Sequence, residues 1–389
     1  MVLRERKNPA CGPDWGDTAC LPMTKNEQGT KAGPRGPVTV IELARLLGVS
    51  HATVSFVLNG KAKKYKISDA TAERVMAAAK KYNCIPNHHA RNLRSRKSGV
   101  LGVLVTTLTM DWAEALMQGM QQVIDDTEYV PFIATHHFDA ERNRKELRSA
   151  LERRDEGVVV FPLPGCEDLY HSISKAGVPL VLIGEELPGL ESISSVVWDS
   201  EKAAAAVVQH LVDLGRKRIA FLGIDYPGLG TLHRFKAYCQ TLKNNGMELR
   251  QEWISRISVS RRDGQVTRIV NDWFSGDPKD APDAVFALND VLGLSLLTEL
   301  SMRGLSVPDD VAVAGLGDLP LSRYPAIGLS TVAEPIKAMG AEAARLLLDL
   351  ISGKAEPPQR HVLQSSEVIA RSSTIGSQWQ IPGMGIGVR

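Results

Sequence analysis

The chain of 389 residues lacks several features that mark particular protein classes. It has no apolar run approaching the ~18 residues of a membrane-spanning helix, so the sequence predicts no membrane contact. The basic N-terminal segment has no apolar stretch of the secretory type, which favours a cytoplasmic location. Because its cysteines include no C-x-x-C pair, the interpretation is a few buried or incidental thiols. These are Cys11, Cys20, Cys84, Cys166 and Cys239.

The composition is that of a globular protein with an uneven distribution of charge. The chain is 43% hydrophobic and 23% charged, which excludes collagen-like, wholly disordered and coiled-coil architectures. Its length suggests two to three domains. Residues 1–98 hold 18 Lys and Arg against 7 Asp and Glu, although the net charge of the whole chain is only +2. A basic front on an acidic body indicates contact with a polyanion, or else only a solubilising appendage.

Residues 37–86 show the pattern of three short helices. Residues 1–36 have no hydrophobic period and are expected to be a disordered arm. Thr39 and Glu42 form a capping-box pattern that starts a helix at about 40–47, and Gly48 can end it. Ser50 then caps a second helix at about 51–58, and a third is predicted at about 69–82. Two helices joined by a short turn and closed by a third are typical of a helix-turn-helix domain.

Residues 87–98 form a basic segment that buries almost nothing of its own. It contains Arg91, Arg94, Arg96 and Lys97 within CIPNHHARNLRSRKSG. Its helical register of about eight residues is below the ~12 needed for an isolated helix to be stable in water. The segment is therefore either a frayed linker or a helix that folds only against a partner surface.

From Gly99 onward, short β-branched apolar runs alternate with stretches of helical period. Such alternation is typical of parallel sheets flanked by helices, and near-continuous apolar strands indicate that both sheet faces are covered. The sequence therefore predicts an α/β core of two doubly wound parallel-sheet lobes behind an all-α helix-turn-helix headpiece. A ligand would bind at the carboxyl ends of the strands.

Four motifs in this order resemble the LacI/GalR family of bacterial transcription regulators over residues 37–375. They are VTVIELARLLGVSHATVSFVLNG, YNCIPNHHARNLRSRKSGVLGVLV, HLVDLGRKRIAFLG, and AVFALND with VPDDVAVAGLGD. The resemblance implies a homodimer, an operator-binding headpiece, and a core similar to periplasmic sugar-binding proteins. We expect lobe 1 at about 99–197 and 335–360, lobe 2 at about 198–331 and 361–375, and a tail at 376–389. The tail has no leucine heptad, which favours a dimer over a tetramer.

The resemblance assigns DNA contacts to the second helix and the loop after it. His51, Ala52 and Phe56 occupy the base-reading positions, where phenylalanine offers only apolar contact, for instance to a thymine methyl. The alternative for Phe56 is packing inward. A second set is expected to hold phosphates without reading sequence: Ser50, Thr53, Ser55, Asn59 and Lys64. Lys61, Lys63 and Lys66 would add salt-sensitive affinity, or form only a solvated loop.

In the hinge segment 87–98, Leu93 matches the family's minor-groove wedge. An apolar side chain pushed into a base step unstacks it and bends the duplex. Ala90 and Arg91 match positions that line this groove. Two hinge helices side by side would support each other, so the site should be a nearly palindromic double-stranded DNA operator.

For the core, the resemblance implies a small-molecule effector bound between the lobes, of sugar or polyol type. The family positions that would contact it are Thr107, Trp112, Asp199, Arg234, Asn289, Asp290 and Asp318, each with a loop or helix-cap role as the alternative. Two departures weaken the expected hydroxyl clamp. Leu232 stands where many sugar-binding members have arginine, and Gly317 stands where they often have aspartate.

Motifs for catalysis, a cofactor or a metal ion are not found. GLGDLP, GMGIG and GLGTLH lack the pattern of a dinucleotide fingerprint, and the pairs His88-His89 and His136-His137 lack metal-ligand spacing. We therefore expect no catalytic residue, cofactor or metal, and a transcription repressor whose operator affinity a small ligand modulates. The rival hypotheses are a solute-binding protein that shares the core fold and an enzyme of doubly wound fold.

Overall fold

A computed structural model of the chain describes residues 38–58, 60–84, 97–108, 111–258 and 264–376. The chain divides into two compact units, residues 1–91 and residues 92–389. Among the described residues no single helix is long and apolar enough to cross a bilayer, and the one pair that reaches this length together is bent by 112°.

The N-terminal unit contains three helices: α1 (Val40–Leu47), α2 (His51–Leu58) and α3 (Asp69–Lys81). The predicted capping box is confirmed, because Thr39 Oγ1 accepts from Glu42 N at 3.3 Å and Glu42 Oε2 accepts from Thr39 N at 2.8 Å. Gly48 ends α1 in the left-handed region, at φ 65°. The 112° bend lies at this turn, between α1 and α2, and is typical of a helix-turn-helix pair.

A small apolar core holds these three helices together. Its buried helical members come from one face of each helix: Leu43, Ala44, Val54, Val57, Val75, Ala78 and Ala79. Val54 and Val57 are the buried residues of α2, so the opposite face of this helix, which carries His51 and Ser55, is left toward solvent.

The second unit alternates strands and helices. Its strands are β1 (Val100–Val105), β2 (Val130–Thr135), β3 (Gly157–Val160), β4 (Leu180–Ile183), β5 (Ser194–Trp198), β6 (Ile219–Asp225), β7 (Ile254–Ser258), β8 (Ala284–Ala287), β9 (Ala312–Ala314), β10 (Thr331–Val332), β11 (Arg360–Leu363) and β12 (Val368–Ile369). Its helices are α4 (Asp111–Ile124), α5 (Ala140–Arg153), α6 (Glu167–Lys175), α7 (Ser200–Asp213), α8 (Leu229–Asn244), α9 (Gln265–Phe274), α10 (Asp290–Met302), α11 (Ile336–Ser352) and α12 (Ser372–Ile375). Two 3₁₀ turns lie at Gln251–Trp253 and Pro320–Arg323.

Two parallel sheets form the predicted two lobes. The first has the strand order β11-β5-β4-β3-β1-β2 and the second has the order β7-β6-β8-β9. All neighbours in both sheets are parallel. Strands β3, β4, β5 and β8 are buried along their whole length, because helices cover both faces of each sheet.

The chain passes between the lobes three times: after Trp198, between Val332 and Ile336, and after Leu363. Strand β11 pairs with β5 in the first sheet, so this lobe extends to Leu363, three residues beyond the boundary expected from the sequence. A short antiparallel pair, β10 with β12, follows on the side of the second lobe. The carboxyl ends of the strands in both sheets line one cavity.

Candidate functional site

The start of α2 is the first candidate site, because capping leaves polar groups exposed there. Ser50 Oγ accepts from Thr53 N at 3.0 Å and lies 2.8 Å from Thr53 Oγ1, which confirms the predicted cap. His51 is exposed, and Ala52 and Ser55 are half-buried. The helix N-terminus with its hydroxyls can accommodate a phosphate.

Phe56 is half-buried and stacks on Tyr65 rather than entering the core. The two ring centroids are 3.7 Å apart and the planes differ by 5°. Tyr65 belongs to the loop after α2 and is 47% exposed. The stack fixes the direction of the Phe56 ring and places an apolar aromatic surface beside the exposed face of α2.

The loop after α2 that contains Tyr65 also carries four exposed lysines: Lys61, Lys63, Lys64 and Lys66. Their charges suit a polyanion such as the DNA backbone. Asn59 and the hinge residues Ala90, Arg91 and Leu93 lie outside the described residues.

The second candidate site is a cavity of about 580 Å³ between the two lobes of the core. Of the residues that the resemblance assigned to an effector, four line it: Trp112, Arg234, Asn289 and Asp290. Thr107 is buried beside it, and its neighbour Thr106 is the residue that lines the cavity.

Two other assigned residues have contacts of a different kind. Asp199 caps α7 by accepting from Lys202 N at 3.1 Å. Asp318 is 8% exposed and pairs with Arg371 at 2.6 Å and Arg323 at 2.9 Å. Asp318 borders a separate open groove along α4 and α11, together with Gly317 and His361.

Asp290 lines the cavity, and its carboxylate already accepts three hydrogen bonds from within the protein. Its carboxylate accepts from Thr331 Oγ1 at 2.7 Å, Ser322 Oγ at 2.7 Å and Leu319 N at 3.0 Å. Burial raises its pKa, and these three donors oppose that shift. Asn289 caps α10 by accepting from Leu292 N at 3.0 Å. Both side chains therefore shape the cavity wall through contacts within the protein.

Arg234 on α8 is the one cation among the described residues that line this cavity. Its Nη1 donates to Leu288 O at 3.3 Å, and its Nη2 lies 3.9 Å from Glu334 Oε2. The guanidinium carbon is 5.4 Å from the centre of the Trp198 ring. Arg234 Nε is buried and has no hydrogen-bond partner among the described residues. A ligand oxygen would complete the hydrogen bonding of this group.

Sequence reasoning missed Glu185, which follows strand β4 and joins the two lobes. Its Oε2 accepts from Gly230 N at 2.8 Å, at the start of α8 in the other lobe. Burial raises the pKa of Glu185 to about 7, against the opposing effect of Arg234. A polar residue directly after a buried strand was the available signal, because parallel strands end at one edge of their sheet.

Glu334 and three aromatic residues of the cavity were also missed. Burial raises the pKa of Glu334, and Arg234 opposes this shift. Phe138, Phe161 and Tyr226 line the cavity with Trp112. Tyr226 OH donates to Pro162 O at 2.9 Å and Leu229 N donates to Glu186 O at 3.0 Å, so two further hydrogen bonds join the lobes here.

Comparison with known proteins finds a match for the chain around each of the two sites. Residues 39–87 match the family described as bacterial regulatory proteins, lacI family, and residues 208–374 match the periplasmic binding protein-like domain. The transcriptional regulator DegA of Bacillus subtilis is 26% identical over 341 residues, which cover 86% of this chain and 98% of DegA. The transcriptional repressor PurR of Vibrio vulnificus is 27% identical, with coverage of 86% and 98%.

Solved structures show the same fold over most of the chain. A complex of the transcriptional regulator CelR with cellobiose superimposes with a TM-score of 0.64 at 28% identity and covers 86% of this chain and 99% of its own. A lac repressor dimer bound to operator and an anti-inducer has the same fold, with a TM-score of 0.75 at 23% identity and coverage of 87% and 99%. The order of a lacI-type helix-turn-helix and a two-lobed periplasmic-binding-protein-like core is that of these regulators. The chain therefore carries a lacI-type helix-turn-helix domain ahead of a periplasmic binding protein-like domain, and over 86% of its length it is similar to the regulators DegA and PurR.

Proposed function

We propose that the protein is a dimeric transcription repressor whose affinity for a nearly palindromic operator is controlled by a small ligand in the inter-lobe cavity. The main support is that one chain combines two features. Helix α2 has an exposed face and is followed by a lysine-rich loop, and the core contains a cavity lined by both lobes. The printed names of its relatives describe regulators and repressors, and this favours regulation over catalysis. A protein that acts on bacterial DNA would work in the cytoplasm.

On the DNA side, we propose that α2 binds in the major groove. His51, Ala52 and Phe56 would face base edges, and Ser50, Thr53, Ser55, Asn59 and Lys64 would hold phosphates. The hinge segment with Ala90, Arg91 and Leu93 would fold in the minor groove. The stacked Phe56 ring supports apolar contact with a thymine methyl.

On the ligand side, we propose that Trp112 and Arg234 contact the ligand. Positioning roles are proposed for the other family positions: Thr107, Asp199, Asn289, Asp290 and Asp318. A sugar-like molecule fits because CelR, a relative of similar fold, is described in complex with cellobiose. The hydrogen bonds of Glu185, Tyr226 and Leu229 join the lobes beside the cavity. A ligand that favours one arrangement of the lobes would shift operator affinity by its differential affinity for the two arrangements.

The dimer is supported by the edge strand β2. This strand lies at the edge of the first sheet. Two of its apolar side chains are exposed, Val130 to 63% and Phe132 to 43%. Apolar residues on an exposed sheet edge are a typical site of association.

A mobility-shift titration with the DNA upstream of the protein's own gene tests the proposal. We expect specific retardation that disappears when residues 1–98 are deleted. Leu93→Ala should weaken specific binding far more than non-specific binding, because only a specific site is bent by the wedge. Lys64→Ala should weaken both equally and reduce the salt dependence by about one counterion. Absence of specific retardation, with turnover or ligand binding alone, would favour an enzyme or a solute-binding protein.

A further inference from the structure

The charged groups of the inter-lobe cavity are unbalanced. Arg234 is the one cation among its described lining residues, and it faces two carboxylates, Glu185 and Glu334. Asp290 adds a third carboxylate, which accepts from two hydroxyls and one amide and pairs with no cation among the described residues. Buried charges in proteins are paired, because an unpaired one loses its hydration without compensation. Among the described lining residues the carboxylates therefore outnumber the cations, and a ligand cation would restore the balance.

Glu185 bears most of this imbalance. Glu185 is 7% exposed, and its side chain lies between the lobes. Its carboxylate accepts hydrogen bonds from Gly230 N at 2.8 Å and from Thr231 Oγ1 at 3.4 Å. Burial raises the pKa of Glu185 to about 7 and also raises that of Glu334, and Arg234 only partly opposes both shifts. A cation in the cavity would hold both carboxylates in their ionised form.

Aromatic rings from both lobes surround the same space. Trp112 and Phe161 lie with ring centroids 6.0 Å apart, and Phe138 meets Tyr226 at 6.2 Å with nearly perpendicular planes. All four residues line the cavity. The faces of aromatic rings attract cations, and several rings around one space are a known arrangement for binding organic ammonium groups.

We propose that the effector is a small organic cation, with an ammonium group between Glu185, Glu334 and the aromatic rings. This inference rests on the ligand cavity of the proposed function and adds the charge of the ligand. Among the described residues no group of three or more His, Cys, Asp or Glu is arranged to hold a metal ion, so the missing charge is assigned to an organic molecule. Its body is either a sugar ring, whose oxygens would reach Arg234 Nε, or an aromatic group.

Matched probes separate charge from shape. Calorimetric titration of the full chain would compare glucosamine with glucose, and 2-phenylethylamine with 2-phenylethanol and 3-phenylpropionate. We expect the amine of at least one set to bind roughly tenfold or more tightly than its hydroxyl partner, and 3-phenylpropionate to bind most weakly. Equal or tighter binding of a neutral partner, preference for the carboxylate, or no binding of either amine at millimolar concentration would overturn the inference.

Glu185→Gln tests the role of the charge within the protein. Glutamine keeps an oxygen that can accept from Gly230 N but removes the negative charge, so amine affinity should fall roughly tenfold while that of the neutral partner is kept. The matched control is Glu186→Gln. Glu186 is the adjacent carboxylate, and it pairs with Arg360 at 2.9 Å outside the cavity. Equal losses in the two variants would indicate a structural effect and contradict the inference.

The pH dependence supplies a second readout. Glu185 is faced by Arg234 and Glu334, and by the hydroxyl of Tyr226, whose pKa burial raises so that it stays neutral. The affinity for 2-phenylethylamine, whose ammonium group stays protonated throughout, should therefore rise between pH 6 and pH 8 as Glu185 ionises, and this rise should be smaller in Glu185→Gln. An unchanged profile would argue against Glu185 as the partner of the amine.

The operator titration on the same preparations keeps the two proposals apart. If glucose binds and amines do not, the charge assignment fails while the ligand-controlled repressor stands. If amines bind but no specific DNA complex forms, the proposed function fails while the charge assignment stands.

Discussion

Arg371 Nη2 donates to Asp318 Oδ1 at 2.6 Å in the interior of the second lobe. Asp318 is 8% exposed and Arg371 is 6% exposed, and Arg371 also donates to Leu329 O at 2.7 Å. The pair fastens the segment after β12 to the loop after β9. Its position indicates a structural role for Asp318, although the resemblance had assigned this residue to ligand contact.

Replacing Asp318 tests this role. Asp318→Ala leaves Arg371 buried without its partner, and the free energy of unfolding of the core should fall by roughly 3–5 kcal/mol. Denaturant unfolding measures this change. Asp168→Ala is the control, because its exposed pair with Arg144 should contribute little. Equal effects of the two substitutions on stability would contradict the structural role. A loss of ligand affinity without a loss of stability would instead indicate that Asp318 acts on the ligand.

A close contact between α4 and α11 makes a second prediction. A Cβ at Gly340 would overlap the carbonyl oxygen of Leu116, which is backbone and has little freedom to move. Gly340→Ala should therefore force the helices apart and cost roughly 1–3 kcal/mol or more of stability. Gly276→Ala is the control, since a Cβ at Gly276 meets no atom within 4 Å. Thermal or denaturant unfolding that does not distinguish the two variants would contradict the packing.

Local patterns were sufficient to predict the N-terminal helices. Helical spacing, the Thr39–Glu42 capping box and Gly48 depend on residues within one turn of each other, and the predicted bounds of α1 and α2 agree with the structure. The alternation of strands and helices likewise predicted a two-lobed parallel core, which the sheets confirm. These features are determined by residues that are close in sequence.

The ligand cavity depends on residues that are distant in sequence, and here the prediction was incomplete. Glu185, Arg234 and Glu334 meet only because three separate segments converge. Asp199 and Asn289 both follow strands, as a ligand contact would, yet their side chains cap the next helix. Sequence pattern does not distinguish a cap from a ligand contact, since the same side-chain oxygens serve both.

The stack of Phe56 on Tyr65 predicts a shared effect on DNA recognition. Phe56→Ala should lower affinity for the operator while leaving affinity for a scrambled duplex nearly unchanged, because apolar base contact carries sequence information. Tyr65→Ala should reproduce part of this loss, with a coupling of roughly 0.5–1.5 kcal/mol in a double-mutant cycle. Fluorescence anisotropy with both duplexes measures these effects. Equal weakening on the two duplexes would assign Phe56 to folding rather than recognition.

The exposed edge of β2 predicts how the dimer can be broken. Val130→Glu places a charge on a side chain that is 63% exposed, so the monomer should fold but fail to associate. Operator affinity should fall with the dimer, because each half-site would then be bound alone. Sedimentation and a mobility shift measure both. Met302→Glu, at a side chain 77% exposed on α10, is the control, and a dimeric Val130→Glu would place the interface elsewhere.

The raised pKa of Glu185 predicts an unusual dependence of stability on pH. Folding moves this pKa from its ordinary value of 4.5 to about 7, mainly through burial. The folded state therefore binds more protons between these values, so the stabilising contribution is present below about pH 4.5 and is lost as the pH rises through 7. Compared with that of Glu185→Gln, the free energy of unfolding of the ligand-free protein should fall by up to about 3 kcal/mol as the pH rises from 4.5 to 7. His136, whose pKa burial lowers to about 4, has the opposite effect but is present in both proteins and cancels. Urea unfolding at a series of pH values measures the difference, and a difference that does not vary with pH would mean that Glu185 stays ionised in the folded protein.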